Sequence, residues 1–144
     1  TGIPHDRIAR AIYDDEPFES VQLLGSVLAR AELDRTAAGG RGLVHTCVSR
    51  ADRARHGLPL DALERVIDVL RCTTEAEVAV VLKQADDGRW KVSMRSKGAV
   101  DVSAVALRLG GGGHRFAAGF DGGQDAGAVL TALREVLADP AAGG

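Results

Sequence analysis

The segment from Ala76 to Lys97 constrains this chain most. "AEVAVVLKQ" (76–84) is a short, nearly unbroken apolar run, too brief for a buried helix of ordinary length and rich in β-branched residues, so it predicts a strand buried on both faces. "DDG" (Asp86 to Gly88) has the side chains of a tight hairpin turn, and "RWKVSMRSK" (89–97) then alternates strictly. Trp90, Val92 and Met94 fall on one face and Lys91, Ser93, Arg95 and Lys97 on the other. A sheet whose middle is buried on both sides needs helices above and below it.

The remaining periodicities supply them. "PLDALERVIDVLR" places Leu60, Leu63, Ile67 and Leu70 at helical spacing, Asp101 is a plausible N-cap for "DVSAVALRLG", and Ala126–Ala138 carries Val129, Leu133 and Leu137 on one side. "LVHTCVSR" (43–50) predicts a strand through about Arg50, and "FAAGF" a short one. Before these, residues 4–15 and about Phe18–Leu33 predict two helices, with "DRTAAGGRG" (34–42) as linker or tight turn. The expected fold class is therefore α/β: a mixed β-sheet flanked by helices, preceded by an N-terminal helical segment (1–36), with the body domain running over 42–144.

With 144 residues, 45% of them hydrophobic, the chain can bury a core. Aromatics are only 3%, so platforms for stacking several unpaired bases are not expected. A formal charge of −2 argues against broad capture of long nucleic acid, leaving small anionic ligands or short oligomers. Cys47 and Cys72 form neither a CxxC pair nor a disulfide framework, which suits a reducing, cytoplasmic setting. No apolar stretch is long enough for a membrane span and the start is no signal peptide. Thr1 stands where an initiator Met would be, which suggests a fragment of a longer chain.

Two features carry chemistry. Ser93, Arg95 and Lys97 present a hydroxyl, a guanidinium fork and an ammonium along one strand face, over about 13 Å, a suitable ladder for phosphate. "LGGGGHRFAAGF" (109–120) sets four glycines before His114 and Arg115. Such a run is entropically costly, and bare backbone N–H groups can curl round an anion; its plainer reading is a flexible turn. His114 would favour its charged form beside a phosphate dianion. His5-Asp6 diverge on a helix, Asp14-Asp15-Glu16 suits a solvated helix end, and His45 with Cys47 lacks further ligands at metal spacing, so no metal site is expected in this chain.

"VSMRSKGAVDVSAVALRLGGGGHRFAAGF" (92–120) resembles the substrate-binding domain that accompanies DHH-type phosphoesterases. It pairs Ser93-Met94-Arg95-Ser96 with Gly-Gly-Gly-Gly-His and Ala117-Ala118-Gly119, in order and with a helix between. The nearest kin by this resemblance are the bifunctional nanoRNases, which degrade short oligoribonucleotides and dephosphorylate 3′-phosphoadenosine 5′-phosphate. The resemblance covers about Gly42 to Ala138 and implies that Arg95 and His114 are phosphate ligands. Ser96 lies nearby, and Gly111, Gly112 and Gly113 give backbone contacts or room for the nucleotide; Ser93, Lys97 and Arg115 are lesser candidates. Simple alternation turns Ser96 away from Arg95, so a strand end or bulge would be needed for both to meet one ligand.

The chain lacks the Asp-His-His motif and the upstream aspartates. The resemblance therefore implies that the divalent ions, two manganese ions in this family, belong to an absent catalytic lobe, that this chain holds no cofactor, and that it binds without cutting. Implied partners are short RNA or nucleotide substrates and the absent lobe; independently, the apolar stripes of the helices before residue 34 could pack on this domain, on that lobe or on a second copy in a homodimer. Alternatives are a lobe of a cyclic-dinucleotide phosphodiesterase or single-strand exonuclease of the same superfamily, or a non-catalytic binding module. A related domain ends alanyl-tRNA synthetases, but the His-Arg-Phe-Ala-Ala-Gly-Phe continuation suits the phosphoesterases better.

Overall fold

A computed structural model describes residues 17–57 and 60–140. Six strands form one sheet: β1 (Glu32–Asp34), β2 (Leu43–Val48), β3 (Val78–Gln84), β4 (Trp90–Ser96), β5 (Gly112–His114) and β6 (Ala117–Asp121). Their spatial order is β1-β2-β3-β4-β6-β5. Only β2 and β3 run parallel; the other neighbours are antiparallel, so the sheet is mixed, as the sequence predicts. The parallel pair needs a crossover, and the chain supplies it with α2 (Arg50–His56), a 3₁₀ turn (Leu60–Leu63) and α3 (Glu64–Leu70).

The apolar run of β3 is buried on both faces because two cores meet there. Val78, Val80 and Leu82 join Trp90, Val92 and Met94 of β4 against α4 (Val102–Arg108) and α5 (Ala126–Ala138). On the other face Val44, Val48, Ala79 and Val81 pack against Leu23 and Val27 of α1 (Phe18–Ala29) and against Val66, Ile67 and Leu70 of α3. That second core contains no residue of β4, β5 or β6. Over these three strands the helices protect one face and leave the other without an apolar cover.

Helix ends follow side-chain chemistry. Asp101 accepts from the backbone N–H of Ser103 and Ala104, and Asp125 from those of Gly127 and Ala128. Ser49 and Asp52 form a reciprocal capping box at the start of α2, and Gly57 ends it in the left-handed region. That box stops the predicted 43–50 strand at Val48. The helix predicted over Phe18–Leu33 stops at Ala29, because Glu32–Asp34 pairs with β2 as an edge strand. The helix predicted over 4–15, His5-Asp6 and Asp14-Asp15-Glu16 lie outside the described residues. Among those described, no helix is long and apolar enough to cross a membrane.

Candidate functional site

The glycine run opens as a helix terminus. Leu109 caps α4, the Gly110 N–H donates to the Leu107 carbonyl and the Gly111 N–H to the Ala106 carbonyl at 2.8 Å. Gly110 has φ +87°, so this is a Schellman ending with glycine at its left-handed position. The chain then leaves as edge strand β5 rather than curling into an anion loop; Gly112 and His114 pair with Gly119 and Ala117 of β6. The two-residue step from His114 to Ala117, through Arg115 and Phe116, closes that hairpin.

The glycines have unequal reasons to be glycine. A Cβ at Gly111 would sit 2.1 Å from the Gly119 carbonyl oxygen, and one at Gly113 2.5 Å from the Ala118 Cα, so both positions are closed to side chains by packing. A Cβ at Gly112 would meet nothing within 4 Å. The fold places no demand on Gly112, and its missing side chain keeps the surface beside His114 low.

The pairing register decides which residues share a face. Arg95 pairs with Ala117 on β6, and Ala117 pairs with His114 on β5. Paired residues project to the same side of a sheet, so Arg95, Ala117 and His114 form one row on the uncovered face. Two inter-strand spacings separate the outer members, about 10 Å at the backbone, and only an alanine methyl stands between them. The next row is Ser93, Gly119 and Gly112, and beyond it Lys91 pairs with Asp121 at 3.2 Å.

The row's donors are largely unspent. Arg95 donates Nη1 to its neighbour's carbonyl, that of Met94, at 2.9 Å, and its Nη2 lies 3.9 Å from the Glu64 carboxylate. The His114 ring and the Ser93 hydroxyl have no hydrogen-bond partner among the described residues, and His114 is exposed. A guanidinium and an imidazole with open donors, flanked by bare backbone, have the chemistry to hydrogen-bond a phosphate or carboxylate.

The other sequence-derived candidates are placed elsewhere. Ser96 is buried on the opposite face, as alternation requires: its hydroxyl donates to the Val100 carbonyl at 2.6 Å and accepts from the Gly98 N–H. No bulge returns it to Arg95; it braces the turn after β4. Lys97 follows the strand's end and donates to the Thr73 carbonyl, and Arg115 donates Nε and Nη2 to the Gly98 carbonyl. Those cations stabilise the loops at the tip of the hairpin, where Phe116 stays 56% exposed against Gly98.

Sequence reasoning did not anticipate Glu64, which lies between Lys83 and Arg95; its position in the first turn of α3 was legible, its bridging was not. Nor did it anticipate the polar cluster at the far sheet edge. There His45 and Glu32 share a pairing register, and Arg134 of α5 lies 3.1 Å from His45 Nε2. With Asp34 they line an open cavity of about 630 Å³. Burial, then the Arg134 guanidinium, holds the His45 imidazole below its ordinary value, so it serves as a neutral acceptor there. Among the described residues, no group of three or more His, Cys, Asp or Glu side chains could hold a metal ion. The Arg95–His114 row offers cationic donors where a divalent ion would need carboxylates, so these two residues do not suit the ions implied for the family.

Comparison with known proteins concerns the family and the fold. Over 76 residues the chain is 41% identical to the bifunctional oligoribonuclease and PAP phosphatase NrnA of Thermus thermophilus, covering 49% of this chain and 23% of that protein. Its fold matches an exopolyphosphatase-related protein from Bacteroides fragilis with a TM-score of 0.79 at 20% identity, over 94% of this chain and 40% of the other. A pGpG-specific phosphodiesterase, PggH, from Vibrio cholerae matches with a TM-score of 0.60 at 15% identity, over 99% and 44% respectively. The chain thus spans less than half the length of each. Residues 39–139 match the DHHA1 domain, and the chain belongs to that family, the domain associated with DHH-family phosphoesterases.

Proposed function

We propose that this chain is the substrate-clamping lobe of a DHH-family phosphoesterase that degrades short oligoribonucleotides and removes a phosphate from 3′-phosphoadenosine 5′-phosphate. The observation that carries the reading is the shared row: Arg95 and His114, nineteen positions apart with a helix between them, project from one open sheet face across a single alanine. A substrate phosphate bridging them would be gripped by the Arg fork and the His114 imidazole. Gly112 and Gly119 leave the adjoining surface low enough for the nucleoside, with the Ser93 hydroxyl in the same row. The lobe's share of catalysis is orientation, holding the scissile bond against a second lobe that supplies the metal ions and the attacking water. The name of the Thermus relative supports the substrate class, and the two unpaired cysteines suit a reducing cytoplasm.

The test is calorimetric titration of the chain with 3′-phosphoadenosine 5′-phosphate and a short oligoribonucleotide, followed by chromatography of the mixtures after incubation with manganese. The expected result is saturable binding with the ligands recovered intact. No binding to either ligand, or hydrolysis by this chain alone, would overturn the assignment. Tighter binding of a cyclic or linear dinucleotide than of either would redirect it to a dinucleotide phosphodiesterase.

A further inference from the structure

Glu64 is a carboxylate placed beside a site meant for anions. It stands at the start of α3, 57% exposed, with one oxygen 3.9 Å from Arg95 Nη2. Left to itself, a mobile carboxylate so close to an open guanidinium would close onto it and form the bidentate pair that both groups favour. It would then compete with any arriving phosphate. The geometry is otherwise: the second Glu64 oxygen is hydrogen-bonded to Lys83 Nζ at 3.1 Å, while the Arg95 contact stays beyond hydrogen-bond length.

Lys83 is suited to hold it there. It lies on β3, its side chain only 8% exposed, on the face that also carries Val81 and Ala79, and its buried stem fixes where the ammonium emerges. A buried ammonium needs a partner, and Glu64 is the carboxylate within reach.

We infer that Lys83 is a positioning residue that keeps Glu64 off Arg95, so that the guanidinium remains free for a substrate phosphate. This rests on Arg95 being a phosphate ligand. When phosphate binds, Arg95 exchanges a loose contact for a direct one, and Glu64 keeps its own partner.

The test is titration of wild type, Lys83→Met, Glu64→Gln and Lys83→Met/Glu64→Gln with adenosine 5′-monophosphate, after each variant is shown by thermal melting to be folded. Lys83→Met should bind several-fold more weakly, because Glu64 is released onto Arg95. Glu64→Gln should bind as tightly as wild type or tighter, and the double variant should recover the affinity that Lys83→Met lost. Such suppression is not expected of a lysine that merely supports the fold. Unchanged affinity in Lys83→Met, or no recovery in the double variant, would overturn the inference. Lys83→Gln replaces Lys83→Met if the latter does not fold. An Arg95→Ala control in the same series separates the two levels: if it binds normally, the phosphate assignment itself is wrong.

Discussion

The unequal packing of Gly111 and Gly112 makes a sharp prediction from adjacent residues. An alanine methyl at 111 would lie 2.1 Å from the Gly119 carbonyl oxygen and 2.6 Å from the Phe120 Cβ, atoms that belong to β6 and cannot swing aside. Strand β5 would have to move away, and overpacking of this kind costs about 1–3 kcal/mol. At 112 the same methyl meets nothing within 4 Å, and the backbone there is outside the positive-φ region. Only the gain from a less flexible unfolded chain remains, about 0.4–1 kcal/mol in favour of alanine. Gly111→Ala and Gly112→Ala should therefore differ by roughly 1.5–4 kcal/mol in stability, with opposite signs relative to wild type. For a chain of this size that separates their melting temperatures by on the order of 5–10 °C. Thermal melts of the three proteins side by side, with urea midpoints as a check, measure it. Equal shifts, or a larger loss at 112, would refute the view that packing holds Gly111 while the fold leaves Gly112 free.

Two further predictions concern pH. Burial works against the Asp52 carboxylate, but the Ser49 N–H and the Arg30 guanidinium, which hydrogen-bonds it, outweigh that and hold its pKa below 3.8. Its contribution is therefore complete above the unfolded-state value and lost as pH falls through the lower folded one; Asp52→Asn should remove that acid-side loss and cost about 1–2 kcal/mol at neutral pH, read from urea midpoints. Burial and Arg134 hold His45 below 6.5, so the unfolded chain takes up a proton that the folded chain refuses. Stability should fall as pH drops below about 6.5, and His45→Gln should flatten that slope on the acid side of 6.5, measured by the same titrations.

Much of the sheet was legible because its signals are local. The apolar run of β3, the turn residues and the alternation of β4 fix one hairpin and assign Arg95 to a face without knowledge of anything distant. The same alternation turned Ser96 away from Arg95, although the resemblance had set it near the ligand; the partner of its hydroxyl, the Val100 carbonyl, was not legible. What escaped was decided by pairing. "GGH" has almost no side chains with which to announce a strand, and β5 exists because β6 offers its edge. Glu32–Asp34 looks like the tail of a helix until β2 pairs with it. The convergence of Arg95 with His114, and of Lys83 with Glu64, depends on strand order and on where α3 starts. Periodicity contains neither.

If Arg95 and His114 grip the same phosphate, their contributions to nucleotide affinity are coupled, and a double-mutant cycle measures that coupling. Titrating adenosine 5′-monophosphate into wild type, Arg95→Ala, His114→Ala and the double variant should give a several-fold loss in each single variant and a non-additive double, with a coupling above about 0.5 kcal/mol. Wild-type affinity in both single variants, with melting temperatures unchanged, would contradict the claim.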